Sequence, residues 1–141
     1  MLLNLSYNDP IQKKKLLEEV GTVITLKERI KMGGIGSPKL FITACSIDIH
    51  NLLILDNNTD TCNIEIRKKG IIIRFRSLLE TYGLIIPYYK LSLLKGSVQE
   101  YTIHKDHHFI RVAAKTKEVH TYIKKLSAHK IDYLTNISEN P

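Results

Sequence analysis

Between Asn63 and Ala114 apolar and polar side chains alternate at period two, in short runs separated by turn residues. Such a chain must form antiparallel strands. Ile64 and Ile66 alternate with Glu65 and Arg67, and Lys68-Lys69-Gly70 then gives a tight reversal where Gly can take positive φ. On the return, Ile71, Ile73 and Phe75 share one face, while Ile72, Arg74 and Arg76 share the other. After a turn around Glu80 to Gly83, one long strand is expected from Leu84 to Leu94. Pro87 cannot donate a ladder hydrogen bond and marks an edge or a bulge in it. Val98 to His104 and His107 to Ala114 read as a further hairpin across Lys105-Asp106.

The pattern then changes period. Thr116 caps an expected helix that places Val119, Tyr122, Ile123 and Leu126 on one side. Glu118 near its start and Lys124, Lys125 and Lys130 near its expected end suit the helix dipole. Residues 135–141 read as a frayed tail. The expected core holds Ile64, Ile66, Ile71, Ile73, Phe75, Leu91, Leu93, Tyr101, Ile103, Ile110, Val112, Val119, Ile123 and Leu126.

Upstream the signals are less regular. Asp9 and Pro10 start a helix that Gly21 can stop. Thr22 to Lys31 fits neither period, and Gly33 to Pro38 is a loop. Lys39 to Asp56 is apolar and β-branched, and reads as two short strands or one bent strand, followed by a turn over Asp56-Asn57-Asn58-Thr59-Asp60. The expectation is one mainly β domain, α+β by content. A helical extension and loop cover 1–36, the strands and C-terminal helix cover 39–131, and a tail follows.

Charge narrows the function. Residues 1–62 hold seven Lys/Arg and seven Asp/Glu, whereas residues 63–130 hold fourteen against five, an excess of nine positive charges confined to the regular segment. That favours an anionic partner. No apolar run approaches the roughly 20 residues of a membrane span, and Met1 to Leu5 lacks the basic start of a signal peptide. Cys45 and Cys62 form no metal or redox motif and read as buried thiols of a cytoplasmic protein.

The strand containing Ile86-Pro87-Tyr88-Tyr89-Lys90-Leu91, set among strands that lead to one terminal helix, resembles the pleckstrin-homology-like superfamily, in particular its bacterial and GRAM-type branches. The resemblance covers about residues 40–130. It implies two sheets in a partly open barrel, with Val119, Tyr122, Ile123 and Leu126 as the plug at one end. The chain departs from the eukaryotic members in having no Trp in that helix; Tyr122 is the nearest aromatic. The resemblance also implies an anion site. Phosphoinositide-binding members show a Lys followed by a basic pair across their first hairpin, and Lys69 with Arg74 and Arg76 fits that form. Lys90 joins them as a fourth candidate. Arg74 and Arg76, two apart on a strand, aim both guanidinium forks the same way.

Other constellations carry less. His104 and His107 could bridge a divalent metal with Asp106, but two histidines at a loop tip fall short of the three or four ligands of a zinc site. No metal or cofactor is therefore assigned. Arg67, Arg74, Arg76, Lys90 and Arg111, with Tyr88, could form a basic sheet face for nucleic acid. Ser46, Asp48 and His50 are too regularly spaced for a triad, and no GxSxG, phosphate loop or HExxH occurs. The expected function is a non-enzymatic binding module for a protein, a peptide or an anionic lipid headgroup at a membrane surface. A nucleic-acid-associated protein or a subunit of a homo-oligomer is the alternative.

Overall fold

The computed structural model describes residues 1–56, 60–97 and 99–139. The centre of the expected turn (Asn57, Asn58, Thr59), the first residue of the expected strand Val98 to His104, and Asn140 and Pro141 of the expected tail lie outside them. Among the described residues, eight strands run in chain order: β1 (Leu2–Asn4), β2 (Leu40–Cys45), β3 (Thr61–Ile66), β4 (Gly70–Ser77), β5 (Glu80–Pro87), β6 (Ser92–Lys95), β7 (Glu100–Lys105) and β8 (His108–Ala113). Four helices accompany them: α1 (Pro10–Val20), α2 (Leu26–Met32), α3 (Ile47–Leu53) and α4 (Lys117–Glu139). Strand and helix take nearly equal shares, so the chain is α+β rather than mainly β.

The strands form one open antiparallel sheet in the order β1-β5-β4-β3-β2-β8-β7-β6. It divides at its middle, because among the described residues β2 meets β3 through two residue pairs, Leu40↔Cys62 and Phe41↔Thr61. On one side stand β1, β5, β4 and β3; on the other stand β2, β8, β7 and β6. A register shift between Ile42 and Ala44 bends β2 as it passes from β3 to β8. Lys105, buried on β7, donates from Nζ to the Ile85 carbonyl of β5 at 3.0 Å and so links the two halves.

The β3–β4 hairpin and its alternation are as the sequence implies, with Ile64↔Ile73 and Ile66↔Ile71 in register. All fourteen expected core residues lie in the main apolar cluster, Leu93 as a partly buried member at its edge. Four readings are corrected. Lys39 to Asp56 is β2 followed by α3, not a second strand: Ile49 and Leu53, four apart, both enter the core. The expected long strand from Leu84 to Leu94 breaks after Pro87 into a 3₁₀ turn (Tyr88–Lys90) before β6 begins. The terminal helix continues to Glu139, leaving Lys124, Lys125 and Lys130 inside it rather than at its end. The turn expected around Glu80 to Gly83 falls at Leu78-Leu79 instead, and Glu80 opens β5.

Ile72 is buried because the N-terminal residues cover the back of the sheet. Val20 of α1 packs with Ile72 and Ile85, flanked by Met1, Leu3, Leu5 and Leu16. Each buried aliphatic side chain contributes about 1.5–3 kcal/mol, so residues 1–21 belong to the fold rather than extending from it. Asp9 caps α1 by accepting from the Ile11 amide. Thr25 caps α2, and Gly33 ends it in the left-handed conformation at φ 76°.

Two helices close the two ends of the core. At the Gly70–Pro87 end, Tyr122 of α4 donates to the Ile35 and Ile64 carbonyls, and Tyr133 packs on Tyr88 with ring centroids 5.4 Å apart. At the other end α3 runs from Ser46, tied to Phe109 of β8, to Leu52, whose carbonyl accepts from Ser77 of β4. Among the described residues, no helix is long and apolar enough to cross a membrane.

Burial sets a pH limit on this core. The Cys62 thiol is pushed up by desolvation, from 9.0 to about 12, and desolvation likewise raises the Tyr88 and Tyr122 hydroxyls. As pH climbs past 9 the unfolded chain gives up these protons first, so the unfolded state is favoured. The stability these groups contribute is complete below the ordinary thiol value and is lost as pH rises through the native one. The midpoint of urea unfolding should therefore fall between about pH 8 and about pH 11, while Cys62 resists thiol reagents until the chain unfolds. A flat profile would contradict the burial.

Candidate functional site

At the α3 end of the sheet the β4–β5 turn, the start of β3 and the residues after α3 enclose a cleft of about 600 Å³. Leu53, Cys62 and Phe75 reach into it from the core. Lys39, Arg74 and Arg76 supply positive charge, and Asp56 and Asp60 supply negative charge. The sequence places the cations there for a simple reason. Arg74 and Arg76 lie on the outward face of β4 beyond the part that α1 covers, and Lys39 directly precedes β2.

The two arginines differ in their partners. The Arg74 guanidinium pairs with Glu65, which also holds Arg67 at 2.7 Å. Arg76 and Lys39 are exposed and, among the described residues, have no ion-pair partner. Asp56 is engaged by the Leu78 amide at 3.0 Å, so the turn above the cleft is held in place. Leu78 itself takes φ 57°, a left-handed conformation that a side chain of its size adopts only where its surroundings hold it.

The other two basic candidates stand elsewhere. Lys69 is in the β3–β4 turn, seven residues from Arg76 along an extended strand, which is about 23 Å. A Lys at that turn therefore cannot close over an anion held by Arg76. Lys90, in the 3₁₀ turn, is at the Lys69 end and faces Asp106 at 3.6 Å. Of the four, the structure brings together Arg74 and Arg76 and adds Lys39, which carries no local sequence signal because its neighbours in the cleft come from β4.

The basic sheet face also disperses. Tyr88 is buried with its hydroxyl donating to the Arg67 carbonyl, Arg67 turns to Glu65, and Arg111 approaches Glu100 at 3.9 Å.

The histidines regroup. His104 packs on Phe109, with ring centroids 5.7 Å apart, and Asp106 is occupied with Lys90. His107 and His108 instead gather with Asp48 of α3, their ligand atoms all within 4.8 Å of one another. Burial first, and the neighbouring His107 second, lower the pKa of His108, against the opposing pull of Asp48.

Comparison with family models, with curated proteins and with solved structures finds no match to this chain.

Proposed function

We propose that this chain is a non-enzymatic binding module of pleckstrin-homology-like type, whose cleft at the β4–β5 turn takes an anionic group of its target on Lys39 and Arg76. The observation that carries this reading is the cleft itself: two cations without an ion-pair partner among the described residues, with Arg74 beside them, line a concave surface built on sheet residues. Two half-sheets with a terminal helix sealed on them support the family likeness. The unbridged thiols, Cys62 buried and Cys45 only half-buried, fit a reducing cytoplasm.

Asp56 and Asp60 limit the ligand. They stand against a polyanion laid along the cleft, and favour one phosphate or carboxylate presented by a protein, a peptide or a lipid headgroup. Nucleic acid is the weaker reading, because Arg67, Arg74, Lys90 and Arg111, four of the five cations expected to track its backbone, are turned to carboxylates.

The variant Lys39→Gln/Arg76→Gln tests the proposal and leaves Arg74 to hold Glu65. With inorganic phosphate, and with phosphatidylcholine vesicles containing phosphatidylserine, affinity should drop about tenfold, or ~1.4 kcal/mol. The melting temperature should stay close to that of the parent, since both side chains are exposed. Binding that survives the double change unaltered, or that ignores added salt, would refute the cleft as the site.

A further inference from the structure

The best-assembled chemical group outside the cleft is the pair of consecutive histidines and the aspartate opposite them. Adjacent residues on a strand point to opposite faces, so neighbouring histidines ordinarily cannot serve one ion. Here Asp106 takes φ 53° and His107 belongs to the turn while His108 begins β8. The change of direction brings their rings side by side, with centroids 4.2 Å apart. Asp48 arrives from a distant part of the chain. Its helix is docked by Ser46, which takes the Phe109 amide on its hydroxyl at 3.3 Å and donates its own amide to the Phe109 carbonyl at 3.0 Å. The carboxylate is thereby set 3.3 Å from His108 Nε2.

We infer that Asp48, His107 and His108 form a binding site for a first-row divalent cation of the zinc type. Ligands held tetrahedrally at about 2.0–2.1 Å stand about 3.3 Å from one another, the separation already present between Asp48 and His108. His107 is exposed, so rotation of its side chain can bring its nitrogen in from 4.8 Å or less. His108, with only 12% of its side chain exposed, supplies the fixed ligand. Two imidazole nitrogens and one carboxylate favour zinc, nickel or cobalt over magnesium or calcium, which take oxygen donors. Three protein ligands leave a fourth position to water. The ion would join α3 to the β7–β8 turn, a role separate from the anion cleft, and its test is independent of that reading.

The experiment uses the full, untagged chain stripped with a chelator. Titration with zinc chloride should show one equivalent bound per chain, and cobalt chloride should give the visible bands of a four-coordinate site. Saturating zinc should raise the melting temperature, because the native state alone presents the three ligands together. His107→Ala, Asp48→Asn and His108→Ala should each weaken zinc by about tenfold or more, the loss expected when even a supporting residue of a metal site is removed. His104→Ala should bind as the parent does. His107→Ala serves as the safeguard against misfolding, since that side chain is exposed. No zinc heat and no cobalt bands would overturn the site, as would zinc affinity unchanged in His107→Ala.

Discussion

Gly70→Ala is expected to destabilise the protein by at least about 3 kcal/mol, at or beyond the upper end of overpacking changes. A methyl group built at this position would lie 2.3 Å from the Ile86 carbonyl oxygen, 2.7 Å from the Pro87 Cα and 2.8 Å from Val20 Cγ1. The first two are backbone atoms of the adjacent strand, with which Gly70 pairs in register at Pro87. The third belongs to the helix on the back of the sheet. Relief would require β4 and β5 to part, or α1 to lift from Ile72 and Ile85. Gly36→Ala is the control: no neighbour lies within 4 Å of its added methyl and its φ is not positive, so it should be neutral or slightly stabilising. Urea unfolding of both variants checks the contrast. If Gly70→Ala unfolds with the same midpoint as the parent, the close approach of α1, β4 and β5 is wrong.

Tyr122→Ala should be nearly as damaging, at about 3–5 kcal/mol by analogy with other large aromatic truncations in cores. Its ring sits in the main cluster beside Val119, Ile123 and Leu126, the residues through which α4 closes one end of the sheet. Tyr122→Phe should lose only about 1 kcal/mol. The Ile35 and Ile64 carbonyls that the hydroxyl reaches also accept from the Ile66 and Ser37 amides, so no buried acceptor is left without a donor. Measured by thermal and urea unfolding, the pair separates ring packing from hydrogen bonding. Equal losses in the two variants would mean that the hydroxyl, not the ring, anchors the helix.

These two residues also mark how far the sequence could be read. Alternation from Ile64 to Phe75 and the helical stripe from Val119 to Leu126 are local patterns, and they fold as read. Gly70 was legible as a turn residue but for a different reason. The turn needs no positive φ from it; the space for a side chain is taken by residues far along the chain. Ile47 to Leu53 looked extended because it is β-branched. Docking of Ser46 on Phe109 and the burial of Ile49 and Leu53 outweigh that propensity, although their spacing of four was a signal that could have been heeded. Alternation sets Ile72 on the same face as Arg74 and Arg76, and cannot say that α1 covers part of that face.

The candidate sites were half visible for the same reason. Arg74 and Arg76 are neighbours in sequence and in space. Glu65, which holds Arg74, and Lys39, which joins Arg76, become partners only through strand order and register. Asp48 stands sixty residues before His108, and no local spacing could have paired them.

Helix α3 has one more consequence. Its start is pinned to β8 and its end to β4, on opposite sides of the short β2–β3 junction. It is a seven-residue rod, about 10 Å long, with the histidine pair at one extremity and the mixed-charge cavity at the other. One stiff part thus lies between the two extremities. Thermodynamic reciprocity then requires that whatever influence one occupant has on its counterpart be returned in equal measure.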